Sequence, residues 1–332
     1  MSLPKIAVVI PAYRVSDTIR QVILSLPEWI DVIIVVDDAC PQHSGRVAEQ
    51  IGSDKIRVVF HPENQGVGGA VVTGYRKAME MGCDIFVKVD GDGQMNPSYI
   101  SVLIAPLVSD EADYAKGNRF CDFSALRAMP KIRLFGNNVL SFLEKLFSGY
   151  WHLMDPTNGF TAIGQRAVRK LNLDKIAKGY FFESDMLLHL NLINAIVRDV
   201  PIPARYENEI SSLSVKKTMI QFPPRLFYGL MKRIFFNYFI YDFNMASVYL
   251  ITGIPLLLWG VLFGAYQWID STVTQTPKTA GTIMLAALPL ILSLEMLLQA
   301  VNIDIQRAQQ NQIRKVPLKS DVGELDENRK LI

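Results

Sequence analysis

Short apolar runs alternate with stretches of helical periodicity through the first third of the chain. Continuously apolar, β-branched segments predict strands at residues 6–10, 32–36, 56–60, 84–89 and 113–117. Helical spacing of apolar residues predicts helices between them, at residues 18–26, 44–52, 68–81 and 97–109. Within these strands apolar residues do not alternate with polar ones, so both faces of the sheet must be covered. This is the pattern of an α/β fold with a mostly parallel sheet.

The pattern changes in the second half of the chain. Further helices are predicted at residues 131–147, 165–171 and 183–195, and a further strand at 196–200. From residue 221 onward, aromatic and aliphatic residues recur at helical spacing, interleaved with Arg225, Lys232 and Arg233. A basic amphipathic helix of this kind suits the surface of an anionic membrane. The alternative is a helix packed on its own domain.

Two apolar segments follow, at residues 246–268 and 280–302. The first carries no charge and would be about 35 Å long as a helix, which is enough to cross a bilayer. The second contains Glu295 and Gln299, four residues apart on one helical face. A carboxylate is costly in lipid, so Glu295 is expected to face the partner span, another subunit or the bilayer edge. A contact between subunits would make the protein a homo-oligomer.

These patterns divide the chain into four regions. They are an α/β domain at residues 1–217, an amphipathic juxtamembrane region at 218–244, two transmembrane helices within 245–303, and a polar tail at 304–332. Lys and Arg are frequent before the first span and after the second, whereas the connecting turn carries only Lys278 as a basic residue. The positive-inside rule then places the α/β domain and both termini in the cytoplasm, as expected of a multi-pass inner-membrane protein.

Composition excludes several classes of protein. Half of the residues are hydrophobic, which is rich for a soluble protein and poor for a polytopic membrane protein. The net charge of +2 gives no argument for a nucleic-acid partner. Three widely spaced cysteines predict neither a disulfide framework nor a zinc site. The first apolar run is broken by Pro11, so no signal peptide or leading span is expected there.

The most informative polar residues lie in the stretch FVKVDGDGQ, residues 86–94. Asp90 and Asp92 follow a predicted strand end, and flanking glycines let the backbone bend closely. Two carboxylates and the amide oxygen of Gln94 suit a divalent cation that keeps open positions for phosphate oxygens. The alternative is an acidic surface turn, since D-x-D is short and common.

Other candidate residues are expected at the same edge of the sheet. In parallel sheets, ligands bind beyond the carboxyl ends of the strands. This rule places residues 11–13, Asp37 with Asp38, and Asp90 with Asp92 along one crevice. Residues 64–69, NQGVGG, form a glycine-rich entry to the third helix, where close packing of turn and helix is as good an explanation as a phosphate cradle.

Six motifs in order resemble a known family. They are IPAY (10–13), VVDDA (35–39), NQGVGGA (64–70), VDGDGQ (89–94), GNR (117–119) and DPTNGF (155–160). Together they are similar to the family 2 glycosyltransferases of GT-A fold, and most of all to the polyprenyl-phosphate glycosyltransferases. The resemblance covers residues 5–217 by motif and the two spans by layout.

The resemblance implies a set of site residues. Pro11, Tyr13, Asp37 and Asp38 would contact a nucleotide-sugar donor, and Asp90, Asp92 and Gln94 would bind Mg²⁺ or Mn²⁺ on its diphosphate. Arg119, Arg133 and Asn137 would grip the phosphate of a lipid acceptor, and Arg205 with Lys216 would close over the donor phosphates. Asp155 would act as a base or a positioning residue; its alternative is a cap of its own turn. The alternative for the arginines is surface salt bridging.

The expected reaction is metal-dependent transfer of a hexose, with inversion, from a nucleotide sugar to polyprenyl phosphate at a lipid bilayer. UDP-glucose is the preferred donor and GDP-mannose the next. Arg14 and Val15 replace an Asn-Glu pair that relatives usually have, which leaves the identity of the nucleotide open. The alternatives are a membrane glycosyltransferase with a hydroxyl acceptor and a catalytically silent, nucleotide-sugar-binding scaffold.

Overall fold

The computed structural model describes residues 3–120, 131–156, 158–203 and 215–311, with the backbone alone described at 131–138, 215–221 and 311. Its centre is a seven-stranded sheet with strand order β3-β2-β1-β4-β6-β5-β7. The strands are β1 Ile6–Ala12, β2 Val32–Asp37, β3 Ile56–Phe60, β4 Ile85–Lys88, β5 Tyr114–Asn118, β6 Thr161–Gly164 and β7 Val197–Pro201. All neighbouring strands are parallel except β6, which runs antiparallel to both β4 and β5.

Helices cover both faces of this sheet. They are α1 Ile19–Leu24, α2 Ser44–Glu49, α3 Gly66–Glu80, α4 Ile100–Val108, α5 Lys131–Ser148, α6 Gln165–Lys170, α7 Phe182–Leu192, α8 Val215–Phe235, α9 Met245–Thr274 and α10 Ala280–Asn311. Successive residues of β1 enter different core clusters, since Val8 and Ile10 belong to one and Ala7 and Val9 to the other. The predicted α/β fold with a mostly parallel sheet is therefore confirmed.

Strand β6 was missing from the sequence prediction. It has four residues, TAIG, and is too short to show a pattern of its own. It forms because it lies between two longer strands: Thr161 is paired with both Lys88 of β4 and Lys116 of β5. This insertion brings the DPTNGF turn, which leads into β6, between the carboxyl ends of those two strands.

Helix α8 combines the two alternatives that the sequence left open. On one face Leu226 packs in a buried cluster with Phe147 and Phe181. On the other face large apolar side chains are exposed: Phe227, Tyr228, Met231 and Phe235. Arg233, which the sequence assigned to a basic surface, is in fact 2% exposed, because it forms an ion pair inside the protein.

Helices α9 and α10 are long and apolar enough to cross a membrane. In their most apolar windows only 11% and 6% of residues are buried within the protein, so they are not core helices of a soluble domain. The two helices pack tightly, because a Cβ on Gly260 would lie 2.6 Å from Leu290. Glu295 and Gln299 are exposed and hydrogen-bonded to each other at 3.0 Å. Of the three environments expected for Glu295, exposure disagrees with the paired helix and agrees with another subunit or the bilayer edge.

The predicted polar tail begins too early. Helix α10 continues to Asn311, and Asp304, the first residue assigned to the tail, is 7% exposed within the fold. Asp304 has a partner in the α/β domain, Trp151, and two in the juxtamembrane region, Arg233 and Tyr238, and local polarity does not reveal these contacts. Asp304 is thus a hydrophilic residue that marks an internal contact and not exposure to solvent.

Candidate active site

The acidic turn follows β4 at the carboxyl edge of the sheet. Asp90 and Asp92 are both partly exposed, and Asp92 Oδ1 accepts a hydrogen bond from the Gln94 backbone N–H at 3.0 Å. The turn is packed against the segment after β1, because the Thr18 hydroxyl donates to the Gly91 carbonyl at 2.6 Å. The segment that follows the first sequence motif therefore meets the fourth motif, as the sheet topology predicts.

A buried lysine lies directly beneath the acidic turn. Lys88, 1% exposed, donates to Asp90 Oδ1 at 2.8 Å, to Glu183 Oε1 at 3.2 Å and to the Gly159 carbonyl at 3.2 Å. Burial would lower the pKa of the Lys88 ammonium, but the Asp90 and Glu183 carboxylates hold it above its ordinary value. One oxygen of Asp90 is thus fixed by a permanent positive charge.

The other oxygen of Asp90 borders a space that depends on glycine. A Cβ added to Gly159 would lie 2.8 Å from Asp90 Oδ2 and 2.6 Å from Lys88 Nζ. Among the described residues no group of three His, Cys, Asp or Glu side chains could hold a metal ion. Two neighbouring carboxylates would suit a hard divalent cation whose remaining ligands come from a substrate rather than from the protein, and metal binding by Asp90 and Asp92 stays a prediction.

Asp155 and Arg119 form a bidentate ion pair across the site. Arg119 Nε donates to Asp155 Oδ2 at 2.7 Å, and its Nη2 donates to Oδ1 at 3.1 Å. The Asp155 side chain is fully buried, whereas the Arg119 side chain is 42% exposed. The buried carboxylate thus fixes the orientation of a guanidinium that still reaches the surface, a geometry suited to binding phosphate.

Two buried lysines hold the turn that carries Asp155. Lys116 of β5 donates to the Asn158 carbonyl at 2.5 Å, and Lys88 of β4 donates to the next carbonyl, that of Gly159. The Asn158 side chain in turn donates to the Gly117 carbonyl at 2.8 Å. Burial lowers the pKa of the Lys116 ammonium to about 8. The turn consequently joins the acidic residues on one side to Arg119 on the other.

A second carboxyl is buried behind this network. Glu144 of α5 is fully buried, and its Oε1 accepts a hydrogen bond from the Ser184 hydroxyl at 2.5 Å. Its Oε2 has no hydrogen-bond partner within the described part of the chain. Burial raises the pKa of Glu144 to about 7, against the opposing effects of Ser184 and Lys116.

Comparison with known proteins assigns this arrangement to a family. The model of the glycosyl transferase family 2 matches residues 7–171. The chain is 31% identical over 241 residues to the UDP-N-acetylglucosamine–dolichyl-phosphate N-acetylglucosaminyltransferase of Methanococcus voltae, a match that covers 68% of this chain and 94% of that protein. The chain belongs to glycosyltransferase family 2. It is a glycosyltransferase, as its motifs predict.

Other similar proteins agree with this assignment. The glycosyltransferase is 27% identical to the undecaprenyl-phosphate mannosyltransferase of Micrococcus luteus, over 60% of this chain and 82% of that one. Among solved structures it resembles glucosyl-3-phosphoglycerate synthase from Mycobacterium tuberculosis, in complex with Mn²⁺, UDP-glucose and phosphoglyceric acid. The TM-score is 0.51 at 21% identity, over 69% of this chain and 79% of that one. The likeness confirms the GT-A fold.

In this glycosyltransferase the Asp37 side chain is hydrogen-bonded to the backbone of the loop that follows it. It is 3% exposed, and its two carboxylate oxygens accept hydrogen bonds from the backbone N–H groups of Cys40 at 2.7 Å and Gly45 at 2.6 Å. The Gly45 amide, in the first turn of α2, has no partner within the helix and is satisfied by this contact. Both carboxylate oxygens thus have partners within the protein, and the expected contact of Asp37 with a nucleotide-sugar donor stays a prediction.

Asp38 plays the corresponding role for the glycine-rich segment. It is 2% exposed and accepts hydrogen bonds from the backbone N–H groups of Gln65 and Gly66, and it pairs with His61 Nδ1 at 2.7 Å. The next amides, of Gly68 and Gly69, donate to the Lys178 carbonyl. A Cβ on Gly68 would lie 2.3 Å from the Ala177 carbonyl oxygen. Close packing, one of the two explanations left open, therefore accounts for this segment, and the expected contact of Asp38 with the donor stays a prediction.

The remaining predicted site residues are placed less fully. Pro11 lies within β1, opposite Val36, and Tyr13 follows the strand with 42% of its surface exposed. Arg133 and Asn137 lie one turn apart on α5, and Lys216 lies at the start of α8, where the backbone alone is described. Arg205 lies outside the described residues. Their ligand contacts stay predictions.

Sequence reasoning missed Lys88 and Lys116 as members of the site. Each is a lysine inside an otherwise apolar strand, in the stretches IFVK and YAKGN. Lysine is seldom fully buried unless it is paired, so its position in a buried strand was a usable signal. Glu144 gave none, because a glutamate in an amphipathic helix is ordinarily a surface residue.

Proposed function

We propose that this glycosyltransferase transfers a hexose from a nucleotide sugar to a polyprenyl phosphate at the membrane surface. The observation that carries the proposal is the shared DPTNGF turn, which contacts the acidic turn through Lys88 and orients Arg119 through Asp155. A site for an anionic donor and a site for an anionic acceptor are thereby set side by side. The named relatives act on dolichyl phosphate and undecaprenyl phosphate, which supports a polyprenyl phosphate as acceptor here.

The donor side is suited to a diphosphate leaving group. Asp90 and Asp92, with Gln94, would hold Mg²⁺ or Mn²⁺, which would neutralise the negative charge that develops on the departing diphosphate. Lys88 keeps Asp90 in place, and the lack of a side chain at Gly159 keeps the space beside its second oxygen open. The bond between the anomeric carbon and the diphosphate breaks as the acceptor oxygen attacks, so a single displacement inverts the configuration.

The acceptor side is suited to a phosphate nucleophile. A phosphate monoester with a second pKa of about 6, by analogy with phosphoamino acids, is already ionised near neutral pH and needs no strong base. Asp155 is buried, and both of its oxygens are hydrogen-bonded to Arg119, which favours positioning duty over proton transfer. Arg119, expected to be joined by Arg133 and Asn137, would align the acceptor phosphate and offset repulsion between two anions.

Exposed apolar surface supports docking on a lipid bilayer. On α5, Val139 is exposed one turn before Phe142 and Leu143, which are exposed as well, and Met154 of the neighbouring loop is 51% exposed. Helix α8 and the α9–α10 hairpin present further exposed apolar side chains. Contiguous apolar surface is unfavourable in water and would be covered by lipid. By the positive-inside rule we propose that the GT-A domain faces the cytoplasm of an inner membrane.

The test uses membranes that contain the full-length protein, polyprenyl phosphate, Mn²⁺ and one radiolabelled donor at a time. UDP-glucose is the preferred donor; GDP-mannose and UDP-N-acetylglucosamine are run in parallel. The proposal predicts chloroform-extractable label that mild acid releases. Absence of such label with every donor would refute the acceptor. Donor hydrolysis without transfer would indicate another acceptor, and neither reaction would indicate a silent scaffold.

A further inference from the structure

We infer that Asp304, near the end of α10, is a positioning residue for the acceptor side of the active site. Resting on the proposed function, the inference assigns the membrane hairpin a role beyond anchoring. Asp304 would act through Trp151, four residues before Asp155, so that the orientation of Arg119 depends on the second membrane helix.

Four hydrogen bonds converge on the Asp304 carboxylate from three parts of the chain. Oδ1 accepts from Arg233 Nη1 at 2.7 Å and from the Tyr238 hydroxyl at 2.5 Å. Oδ2 accepts from Arg233 Nη2 at 3.0 Å and from Trp151 Nε1 at 2.8 Å. Asp304, Arg233 and Tyr238 are all buried. A carboxylate with every lone-pair direction used in this way fixes its partners in a single arrangement.

The same cluster is attached to the GT-A domain by its other contacts. Arg233 Nη2 also donates to the Leu146 carbonyl at the end of α5, at 2.9 Å. A Cβ on Gly149 would lie 2.7 Å from Arg233 Nη1, so residue 149 has to be glycine for the guanidinium to enter. The Trp151 ring lies edge-on to Phe142 with centroids 6.1 Å apart. The end of α10 thus rests against the segment that runs from α5 to Asp155.

The segment of residues 150–154 has contacts on two sides. On the sheet side, the Tyr150 hydroxyl donates to the Ala195 carbonyl, and His152 Nε2 lies 3.0 Å from the Val197 carbonyl oxygen. The Met154 backbone N–H donates to Asp199 Oδ2 at 2.9 Å. On the opposite side, the Trp151–Asp304 bond is the contact with the membrane hairpin. Residues 150–154, which lead directly to Asp155, are therefore attached both to the sheet and to α10.

Loss of the Trp151–Asp304 hydrogen bond is expected to act mainly on the acceptor side of the site. The segment ends at Asp155, which orients Arg119. The acidic turn meets the DPTNGF turn farther along the chain, at Gly159 through Lys88, and has a second anchor in the Thr18 contact with Gly91. Loss of the Trp151 bond should therefore disturb acceptor binding and leave donor binding unchanged. A merely structural role for Asp304 would lower stability and affect both substrates alike.

Trp151→Phe tests this most cleanly. It removes the N–H and keeps an aromatic ring, and it leaves the bonds of Arg233 and Tyr238 to Asp304 in place. The matched control is Trp29→Phe, because Trp29 is 46% exposed just before β2, at the opposite edge of the sheet from the site. The full chain is placed in phosphatidylglycerol-containing nanodiscs. The measurements are kcat/KM for polyprenyl phosphate, KM for the donor, and hydrogen–deuterium exchange of residues 150–156.

We expect Trp151→Phe to lower kcat/KM for the acceptor about tenfold, the effect of one hydrogen bond to a charged group, and to leave the donor KM within about twofold. Amide exchange at Leu153 and Met154 should accelerate, and Trp29→Phe should change neither quantity. Unchanged exchange and unchanged acceptor kinetics would overturn the inference, as would equal losses for donor and acceptor. If the wild type transfers nothing to polyprenyl phosphate, the proposed function fails, while the exchange data still test the contact itself.

Discussion

The buried carboxyl of Glu144 leads to a prediction about stability and pH. Its pKa is raised from 4.5 to about 7, chiefly by burial. Between these values the folded protein binds the proton and the unfolded chain releases it, so stability falls as pH rises from about 4.5 to 7. At about 1.4 kcal/mol for each unit of pKa, Glu144 should cost up to about 3 kcal/mol above pH 7. Glu144→Gln removes this ionisation and should remove this cost.

The measurement is the thermal unfolding midpoint of the wild type and Glu144→Gln in the same detergent, between pH 5 and 8.5. The midpoint of the variant relative to the wild type should rise with pH, by about 5 °C or more across the range. Taking the difference at each pH cancels other titrating groups, including Asp199, whose pKa burial raises to about 6. Glu111→Gln, at an exposed position, is the control and should follow the wild type. Parallel pH profiles for Glu144→Gln and the wild type would contradict a raised pKa of the Glu144 carboxyl in the folded protein.

Three further predictions concern the active site. Asp92→Asn should abolish transfer and Mn²⁺-dependent stabilisation while the unfolding midpoint without metal stays within about 2 °C; full activity would remove the metal site from the account. Gly159→Ala should reduce turnover at least about tenfold, because the added Cβ would collide with Lys88 and Asp90; wild-type kinetics would contradict the tight fit. Asp155→Asn and Arg119→Ala should each raise the acceptor KM, and the double variant should be little worse than Arg119→Ala alone; additive losses would show that Asp155 acts independently of Arg119.

The parts of the fold that the sequence predicted are those with a local signal. Buried strands such as β1 and β2 are continuously apolar, and the acidic turn is marked by closely spaced aspartates and glycines, so their positions follow from pattern and topology. Strand β6 has no such signal, because its four residues form a strand only through pairing with β4 and β5. Its presence decides where Asp155 lies, and the sequence did not reveal it.

The sequence predicted which residues belong to the site better than it predicted the contacts between them. Arg119 and Asp155 were both expected, but their bidentate contact was not, since it joins residues 36 positions apart. The partnership of Arg233 with Asp304 spans 71 positions and reverses the local interpretation of both residues, from surface charges to a buried pair. Contacts of this kind depend on tertiary structure, whereas hydrophobic periodicity reports only the local environment.

We propose that a lipid phosphate, and not a hydroxyl group, attacks the sugar. The most direct measurement presents the full-length protein in vesicles with polyprenyl phosphate or with the polyprenol of the same chain length, using the donor that is active in the transfer assay. We expect acid-labile lipid label with the phosphate only, and this label should be strongly reduced in Arg119→Ala. Comparable labelling of the polyprenol, or transfer to the phosphate that does not depend on Arg119, would contradict it.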